Sequence, residues 1–464
     1  MKKVLIAALL GVAFTSGAQN ENAKTLDDQN ATFWERQAAF EEYWKTRDTK
    51  EKGKGWKAFK RWEYMMRSRV DASGRIPDPM IVFTEWKKAH AQFEHHAQKQ
   101  GNATQATASW QYIGPANGVP IGGGAGRLCF ITFDPITPST IWVGSPGGGL
   151  WKSTNSGSSW TVINDQLPNL GAAHLAIDPT NTNVMYLSTG DRDASDTYSI
   201  GLLKKIDGGL TWNKTGLSYT ANQMRNVNCV LIDYTNTQVL YAATGLGVYK
   251  STDGGVNWLN VKSGGYKDLK FKPGDHNTIY ACGGGFARTS NAGATWFNGS
   301  FPTPNANSVG RVAMAVTAAD SNIVYVLAGQ GSAASYGFAG FYKSTNSGAT
   351  FTKVCSSPNL LGWNPSGNDA GGQAWYDLIV AADPTDPNEV ICGGVNTWRS
   401  TNGGTSFSLF THWYGGGGKP YVHADVHAIE YVPGNSNNIL IGCDGGVYAT
   451  TNGGTAWSMS SNGL

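Results

Sequence analysis

STNSGSSW, at residues 153–160, is the first of seven copies of one short pattern. The pattern is Ser/Thr, any residue, Asp/Asn, any residue, Gly, two residues of any type, and Trp/Phe. Successive copies end 38 to 56 residues apart, and only the copy at 205–212 lacks the opening Ser/Thr, having Lys205 instead. The Asp/Asn and aromatic positions of the seven copies are Asn155 and Trp160, Asp207 and Trp212, Asp253 and Trp258, Asn291 and Trp296, Asn346 and Phe351, Asn402 and Phe407, and Asn452 and Trp457.

Each octet has the composition of a tight hairpin end. An Asp or Asn side chain accepts hydrogen bonds from backbone N–H groups just downstream, and the Gly suits a positive φ. The aromatic residue then begins the next strand and packs beneath the turn. A single octet would be an ordinary turn, but seven copies at this spacing predict repeated units, and the period suits a β-propeller.

Apolar segments between the octets supply the other strands of each unit. In the first unit, strand-like segments at 127–135, 140–144 and 149–153 precede the octet, and the octet's aromatic residue starts a fourth strand. The chain also has 60 glycines for turns. We therefore predict an all-β protein, a β-propeller of about seven four-stranded blades that follows a short helical N-terminal segment.

Four segments are predicted along the 464 residues. Residues 1–18 have the lysines, apolar run and small residues of a secretory signal peptide. Residues 19–100 form a charged helical segment, since 29 of the 81 residues from 20 to 100 are charged and aromatic residues recur at helical spacing. A linker at 101–109 leads to the propeller at 110–464. Residues 109–115 resemble the fourth strand of a blade and would be the eighth such strand in the chain. They are either an extra edge strand or a sign that blades follow Leu464, and we expect a C-terminal truncation.

Charge and cysteine content limit the classes of partner. A net charge of +3 is too small to predict binding to nucleic acid, and no apolar run after the signal is long enough to span a bilayer. The six cysteines are far apart, so we expect small buried core residues, although export permits disulfides. No cofactor is predicted, and we expect the protein to be secreted or held at the cell surface.

The longest loops are predicted to share one face of the ring. In a four-stranded meander, the octet turns lie on the same face as the first-to-second turns. The second-to-third loops and the blade-to-blade loops lie on the opposite face, which we call the loop face. Long loops on a rigid scaffold often carry function. Those of the loop face are at 190–200, 329–340, 356–375 and 411–423.

The octets are identified as Asp-boxes, also called BNR repeats. The set resembles the Asp-box propellers of sortilin/VPS10 proteins, of two-propeller xyloglucanase-type glycoside hydrolases, and of exported bacterial proteins with a type IX secretion sorting domain. Residues 54–70, 189–204, 375–404 and 423–433 look like the last group. In the xyloglucanase type, a first-blade turn carries an Asp, whereas residues 145–149 are Ser-Pro-Gly-Gly-Gly. A sialidase is disfavoured because the propeller is poor in arginine.

Carboxylates on the loop face are the candidates for catalysis. Glycoside hydrolysis usually needs two carboxyl groups on either side of the scissile bond. The best-placed candidates are Asp191, Asp377, Asp425 and Asp444. Loop 190–200 also contains Asp193 and Asp196, for which solvation in the loop is the commoner expectation.

A metal site is a second hypothesis for this face. His423, Asp425 and His427 alternate along a predicted strand and would project from one side of it, where imidazole and carboxylate could ligate zinc or a similar ion. The alternative is a hydrogen-bonded cluster between blades. In both cases Asp444 is expected close by.

Loop aromatics are the candidates for ligand contact, either by stacking on sugar rings or by anchoring a peptide. They are Trp363, Trp375, Tyr376, Trp413, Tyr414 and Tyr421. The sequence favours an exported module that binds a glycan or a protein on the loop face. The alternative is a glycoside hydrolase of the xyloglucanase type, and a third option is a subunit of an envelope or secretion complex that docks through the N-terminal helices.

Overall fold

The computed structural model describes a helical pair and a ring of β-sheets. The described residues are 31–49, 55–78, 80–81, 84–89, 91–92, 123–165, 167–208, 211–299, 301, 309–331 and 335–464. The predicted signal peptide, the linker and the strand-like segment 109–115 lie outside them. In the part of the chain that the structure describes, no helix combines the length and apolarity needed to cross a membrane.

Seven four-stranded antiparallel sheets form the blades, and each pairs its strands in chain order. Blades 1 to 4 contain β1 (Phe130–Phe133), β2 (Ile141–Ser145), β3 (Gly149–Ser153) and β4 (Thr161–Val162); β5 (Ala172–Ile177), β6 (Met185–Thr189), β7 (Gly201–Lys205) and β8 (Asn213–Ser218); β9 (Val227–Ile232), β10 (Leu240–Thr244), β11 (Gly247–Ser251) and β12 (Leu259–Ser263); and β13 (Tyr266–Lys272), β14 (Asp275–Gly283), β15 (Phe286–Thr289) and β16 (Phe297–Gly299).

The remaining blades follow the same order. Blades 5 to 7 contain β17 (Val309–Val316), β18 (Val324–Gln330), β19 (Phe338–Ser344) and β20 (Thr352–Cys355); β21 (Ile379–Ala382), β22 (Val390–Gly393), β23 (Thr397–Ser400) and β24 (Ser408–Thr411); and β25 (Val426–Val432), β26 (Asn435–Cys443), β27 (Gly446–Thr450) and β28 (Ser458–Met459). The first strand of each blade contacts the first strands of its neighbours, so these strands lie innermost. The predicted seven-bladed propeller is confirmed.

Blade 7 closes the ring against blade 1. Strand β25 contacts β1, and the Leu128 N–H donates to the Cys443 carbonyl at 3.2 Å. Trp160 completes the seam, because its backbone N–H donates to Asn462 and its indole donates to the Ser460 carbonyl at 2.7 Å. The apolar cores lie between neighbouring sheets, and one of them joins Ile131 and Val143 of blade 1 to Leu440 and Val447 of blade 7.

The octets form the hairpin ends that the sequence predicts. The Ser153 hydroxyl donates to Asn155 Oδ1 at 2.8 Å and accepts the Gly157 N–H at 2.9 Å, while Asn155 Oδ1 also accepts the Ser159 N–H. The hydroxyl therefore links the two ends of the turn. The same hydroxyl bonds recur in the copies that begin at Ser251, Thr289, Ser344, Ser400 and Thr450. The octet glycines have φ between 76° and 93° in these six copies, so the predicted positive φ is confirmed.

The copy at 205–212 is built differently. Lys205 is fully buried, and its ammonium group lies 5.2 Å from the ring of Trp142 and 5.1 Å from that of Trp212. Burial lowers the pKa of Lys205 to about 8. This copy therefore has a buried amine near two indole rings at the position where the other copies have the hydroxyl.

The described N-terminal residues include two helices of 12 residues each, α1 (Phe33–Trp44) and α2 (Trp56–Arg67). Thr32 starts α1 with a capping box that it forms with Glu35. The helices pack through the aromatic face that the sequence predicts, with the rings of Phe40 and Phe59 stacked at 3.8 Å. The further helix predicted over 81–97 is helical at 84–89, and much of its remainder lies outside the described residues.

The six cysteines are all buried and free, as the sequence favours. Burial raises the pKa of their thiols, for example that of Cys392, which is enclosed in the core between blades 5 and 6. These cysteines therefore act as small apolar core residues.

Candidate active site on the loop face

Loop 190–200 joins β6 to β7 and reaches the innermost strands of several blades. The Arg192 guanidinium donates to the carbonyls of Cys129 in blade 1 and His427 in blade 7. The Arg192 carbonyl in turn accepts from the ammonium group of Lys267 in blade 4. The loop therefore ties together blades that are far apart in the sequence.

Asp191 holds this loop in shape. Its side chain is fully buried, forms an ion pair with Arg127, and accepts the backbone N–H groups of Asp193, Ala194 and Asp196. These contacts occupy its oxygens inside the protein. We assign Asp191 to the loop and leave it out of the catalytic set.

Asp193 differs from the expectation of a solvated loop carboxylate, because it is buried. Arg311 lies 2.6 Å from its Oδ1, Arg192 lies 3.5 Å from its Oδ2, and His427 Nδ1 lies 3.2 Å from Oδ2. Burial alone would raise the pKa of Asp193, but the two guanidinium groups hold it well below its ordinary value. This carboxylate is therefore ionised.

Asp444 lies on the other side of His427, where the sequence analysis expects it. His427 Nε2 lies 3.1 Å from Asp444 Oδ1, and the Tyr376 hydroxyl lies 2.9 Å and 2.7 Å from the two carboxylate oxygens. Burial and the Asp444 charge raise the pKa of Tyr376, so the phenol remains a donor. The side chain of Asp444 is 27% exposed and can reach a ligand.

Asp377 and Asp425 form a second acidic pair beside Asp444. Asp377 is fully buried, and neither of its oxygens accepts a hydrogen bond from a protein donor. Burial and the neighbouring Asp425 raise the pKa of Asp377 well above its ordinary value, so Asp377 is protonated and can donate to Asp425. Burial and Asp444 raise the pKa of Asp425, which is partly exposed and also lies 3.3 Å from Gln373 Nε2.

The metal hypothesis assumes that His423, Asp425 and His427 alternate along one strand, and this prediction of the strand is wrong. Strand β25 begins at Val426, and Asp425 has a φ of 63°, so 423–427 is not one extended strand. His427 uses both ring nitrogens for Asp193 and Asp444. Within the described ranges, no group of three or more His, Cys, Asp or Glu side chains is arranged to hold a metal ion.

Five of the six loop aromatics form two groups, one beside the acidic residues and one apart from them. Trp375 is 46% exposed and contacts the ring of Tyr376 at 5.2 Å, which places it beside the acidic residues. Trp413 donates its indole N–H to the Trp363 carbonyl and packs edge-on against Tyr414, and all three side chains are exposed.

Tyr421, the sixth of these residues, lies apart from both groups. It packs against Tyr448 and lines a separate groove of about 430 Å³ together with Trp457. It is therefore not part of the acidic centre.

Two arginines of the site were missed at the sequence level. Arg311 binds Asp193 and also donates to the carbonyls of Trp375 and Tyr376 at 3.0 Å and 2.9 Å. Arg127 stacks over the Tyr376 ring at 5.2 Å. Their signal in the sequence is weak, because each is a single arginine near the start of a first strand, Arg127 just before β1 and Arg311 inside β17.

The site thus contains carboxyl groups in unlike electrostatic environments. Asp425 and Asp377 are shifted toward the protonated form, whereas Asp444 faces a phenolic donor and an imidazole. Environments that separate neighbouring carboxyl groups in this way permit one to donate a proton while another acts as a base or nucleophile.

The comparisons with known proteins concern this same propeller. The chain matches no protein-family model. It is 26% identical over 298 residues to a xyloglucanase of Hypocrea jecorina, covering 61% of this chain and 32% of that protein. It is 29% identical over 173 residues to a xyloglucanase of Acetivibrio thermocellus, covering 35% and 20%. The chain therefore spans about a third or less of the length of these relatives.

Solved structures agree on the fold. A GH74 xyloglucanase of Xanthomonas campestris superposes with a TM-score of 0.55 at 17% identity, covering 74% of this chain and 55% of that chain. A GH74 enzyme of Niastella koreensis gives a TM-score of 0.54 at 20% identity, covering 75% and 56%. These likenesses show the β-propeller alone. The curated relatives favour the glycoside hydrolase, which the sequence analysis placed second, over the binding module.

Proposed function

We propose that this protein is a glycoside hydrolase that cleaves a polysaccharide on its loop face. The observation that carries the proposal is the convergence of Asp425 and Asp444 in unlike environments. Asp425 is shifted toward the protonated form, and Asp444 accepts hydrogen bonds from Tyr376 and lies against His427. Glycosidic cleavage uses two carboxyl groups in unlike environments, one that donates a proton and one that acts as base or nucleophile.

Each residue has a defined part in the proposed reaction. Asp425 protonates the glycosidic oxygen, since it is partly exposed and since burial and the neighbouring Asp444 raise its pKa. Asp444 supplies the second carboxylate, and Tyr376 and His427 fix its orientation. Trp375 offers an exposed ring beside this pair on which a sugar can stack.

The relatives suggest the substrate class. Both curated relatives are named xyloglucanases, and we take xyloglucan as the first substrate to test. The likeness to these proteins covers part of their length, so the substrate is a proposal about this chain. Export and a docking role for the helices remain predictions from the sequence.

The test is reducing-end release from xyloglucan by wild type, Asp425→Asn and Asp444→Asn. We expect each variant to lose at least about 100-fold in kcat, the scale of a missing general acid or base. Asp386→Asn is the control, because this exposed carboxylate lies in the β21–β22 turn on the octet face and should leave kcat unchanged.

A binding assay on the same polysaccharide separates the two leading hypotheses. Trp375→Ala should raise KM or weaken binding by several-fold while the carboxyl groups stay in place. Wild-type protein that binds the glycan but releases no reducing ends would contradict the hydrolase and support the binding module.

A further inference from the structure

His427 lies between two carboxylates in the interior of the candidate site. Its Nδ1 is 3.2 Å from Asp193 Oδ2, and its Nε2 is 3.1 Å from Asp444 Oδ1. The side chain is 1% exposed, and the Tyr376 ring packs edge-on against it at 4.7 Å. A neutral imidazole has one N–H, whereas an imidazolium has two. An ionised carboxylate at each nitrogen can be hydrogen-bonded at both positions only by the protonated ring.

The carboxylate of Asp193 is fixed before any ligand binds. Arg311 and Arg192 neutralise it, and Arg311 also holds the carbonyls of Trp375 and Tyr376. Asp193 thus lies in a rigid network on loop 190–200, while Asp444 lies 27% exposed at the surface. His427 connects the fixed carboxylate to the accessible one.

We propose that Asp193 is a positioning residue for Asp444 and acts through His427, which it keeps protonated and aimed at Asp444 Oδ1. The imidazolium and the Tyr376 hydroxyl together hold the Asp444 side chain in one orientation. The role of Asp444 in cleavage rests on the proposed function, whereas the charged state of His427 does not.

Other charged groups around His427 act in both directions. The partly exposed Asp425 at the start of β25 favours the cation when it is ionised. Arg192, whose guanidinium donates to the His427 carbonyl, and Arg311 behind Asp193 oppose it. Burial also opposes it, yet Asp193 and Asp444 raise the pKa of His427 above its ordinary value.

The direct test is a nitrogen NMR titration of ¹⁵N-histidine-labelled full-length protein. His427→Gln identifies the His427 signals by their loss. We expect both ring nitrogens of His427 to be protonated at pH 6 in the wild type. In Asp193→Asn the midpoint should fall by at least about one pH unit, since one adjacent carboxylate is lost. A ring that is neutral at pH 6 in the wild type, or an unchanged midpoint, overturns the proposal.

Kinetics test the consequence for Asp444. In Asp193→Asn the acidic limb of the kcat profile should move to higher pH with little change in KM, because Asp444 loses its cationic neighbour. Asp191→Asn is the matched control, since it disturbs the same loop through Arg127 but does not touch His427. An equal movement of the acidic limb in Asp191→Asn would show a merely structural effect and contradict the positioning role.

Two further outcomes are informative. If Asp193→Asn does not fold, His427→Gln provides the second measurement, because its amide can still donate to Asp444 without a charge. The acidic limb of its kcat profile should also move to higher pH. An unchanged limb counts against the proposal. If His427 titrates as expected but the wild type cleaves no glycan, the imidazolium between Asp193 and Asp444 is supported and the proposed function fails.

Discussion

Replacing Asp377 with asparagine should stabilise the protein relative to the wild type. This difference in the free energy of unfolding should grow as the pH rises. Asp377 is fully buried with no donor to either oxygen, and burial with the nearby Asp425 raises its pKa well above 3.8. The folded protein therefore keeps a proton on Asp377 that the unfolded chain has released. A carboxyl group with a raised folded pKa contributes stability below its unfolded pKa and loses that contribution as the pH rises.

The size of the effect follows from one proton. Above pH 4 and below the folded pKa of Asp377, the free energy of unfolding of the wild type should fall by about 1.4 kcal/mol per pH unit from this group alone. Asp377→Asn has no proton to lose and nearly the same shape. Its free energy of unfolding should therefore rise relative to the wild type by up to the same amount for each pH unit.

Urea denaturation at pH 5, 6 and 7 measures this difference. Asp386→Asn reports the effect of removing an exposed carboxyl group, and Asp377→Leu tests whether a donor to Asp425 is needed at all. A wild type whose stability changes with pH in parallel with Asp377→Asn would show that Asp377 is ionised in the folded state. That result would also remove the reason for treating Asp425 as part of a proton-sharing pair.

Three further substitutions test the scaffold by chemical denaturation. Thr289→Val keeps the shape of a buried octet residue but removes the acceptor for the Gly293 N–H, and should cost about 1–3 kcal/mol; a neutral result would contradict the bridging role of the hydroxyl. Trp160→Ala should cost about 3–5 kcal/mol, since this ring fills the seam between blades 7 and 1; an unaffected midpoint would show that the seam does not limit stability. Arg311→Met should cost about 3–5 kcal/mol because it leaves Asp193 buried with one cation fewer, and combining it with Asp193→Asn should recover part of that loss.

The fold could be predicted because its signal is local. The side-chain bonds that shape an octet join residues within a few positions, as between Ser153 and Gly157. Seven copies of one local rule then fix the number of blades. The role of the opening hydroxyl was not predicted, since the pattern shows that Ser or Thr is preferred but not which atom it bonds.

The candidate site could be predicted only in part. Asp425, Asp444 and Tyr376 are on the loop face as the topology requires, but their protonation depends on partners far away in the chain. Asp193 meets His427 across 234 residues, and no spacing in the sequence records that contact. For the same reason the burial of the loop carboxylate Asp193 could not be predicted from the sequence.

The two faces of the ring explain why chemistry can concentrate on one of them. On the octet face, the same short turn repeats and contacts its own blade and the adjacent one, as where the Ser156 N–H donates to the Ser139 carbonyl and the Ser460 hydroxyl donates to the Gly157 carbonyl. On the loop face, loop 190–200 of blade 2 reaches His427 of blade 7 and Arg311 of blade 5. Buried charges are stabilised only when their partners are held in place. A closed ring supplies that constraint, so the contacts that stabilise the buried Asp193 carboxylate depend on the same seam that Trp160 completes.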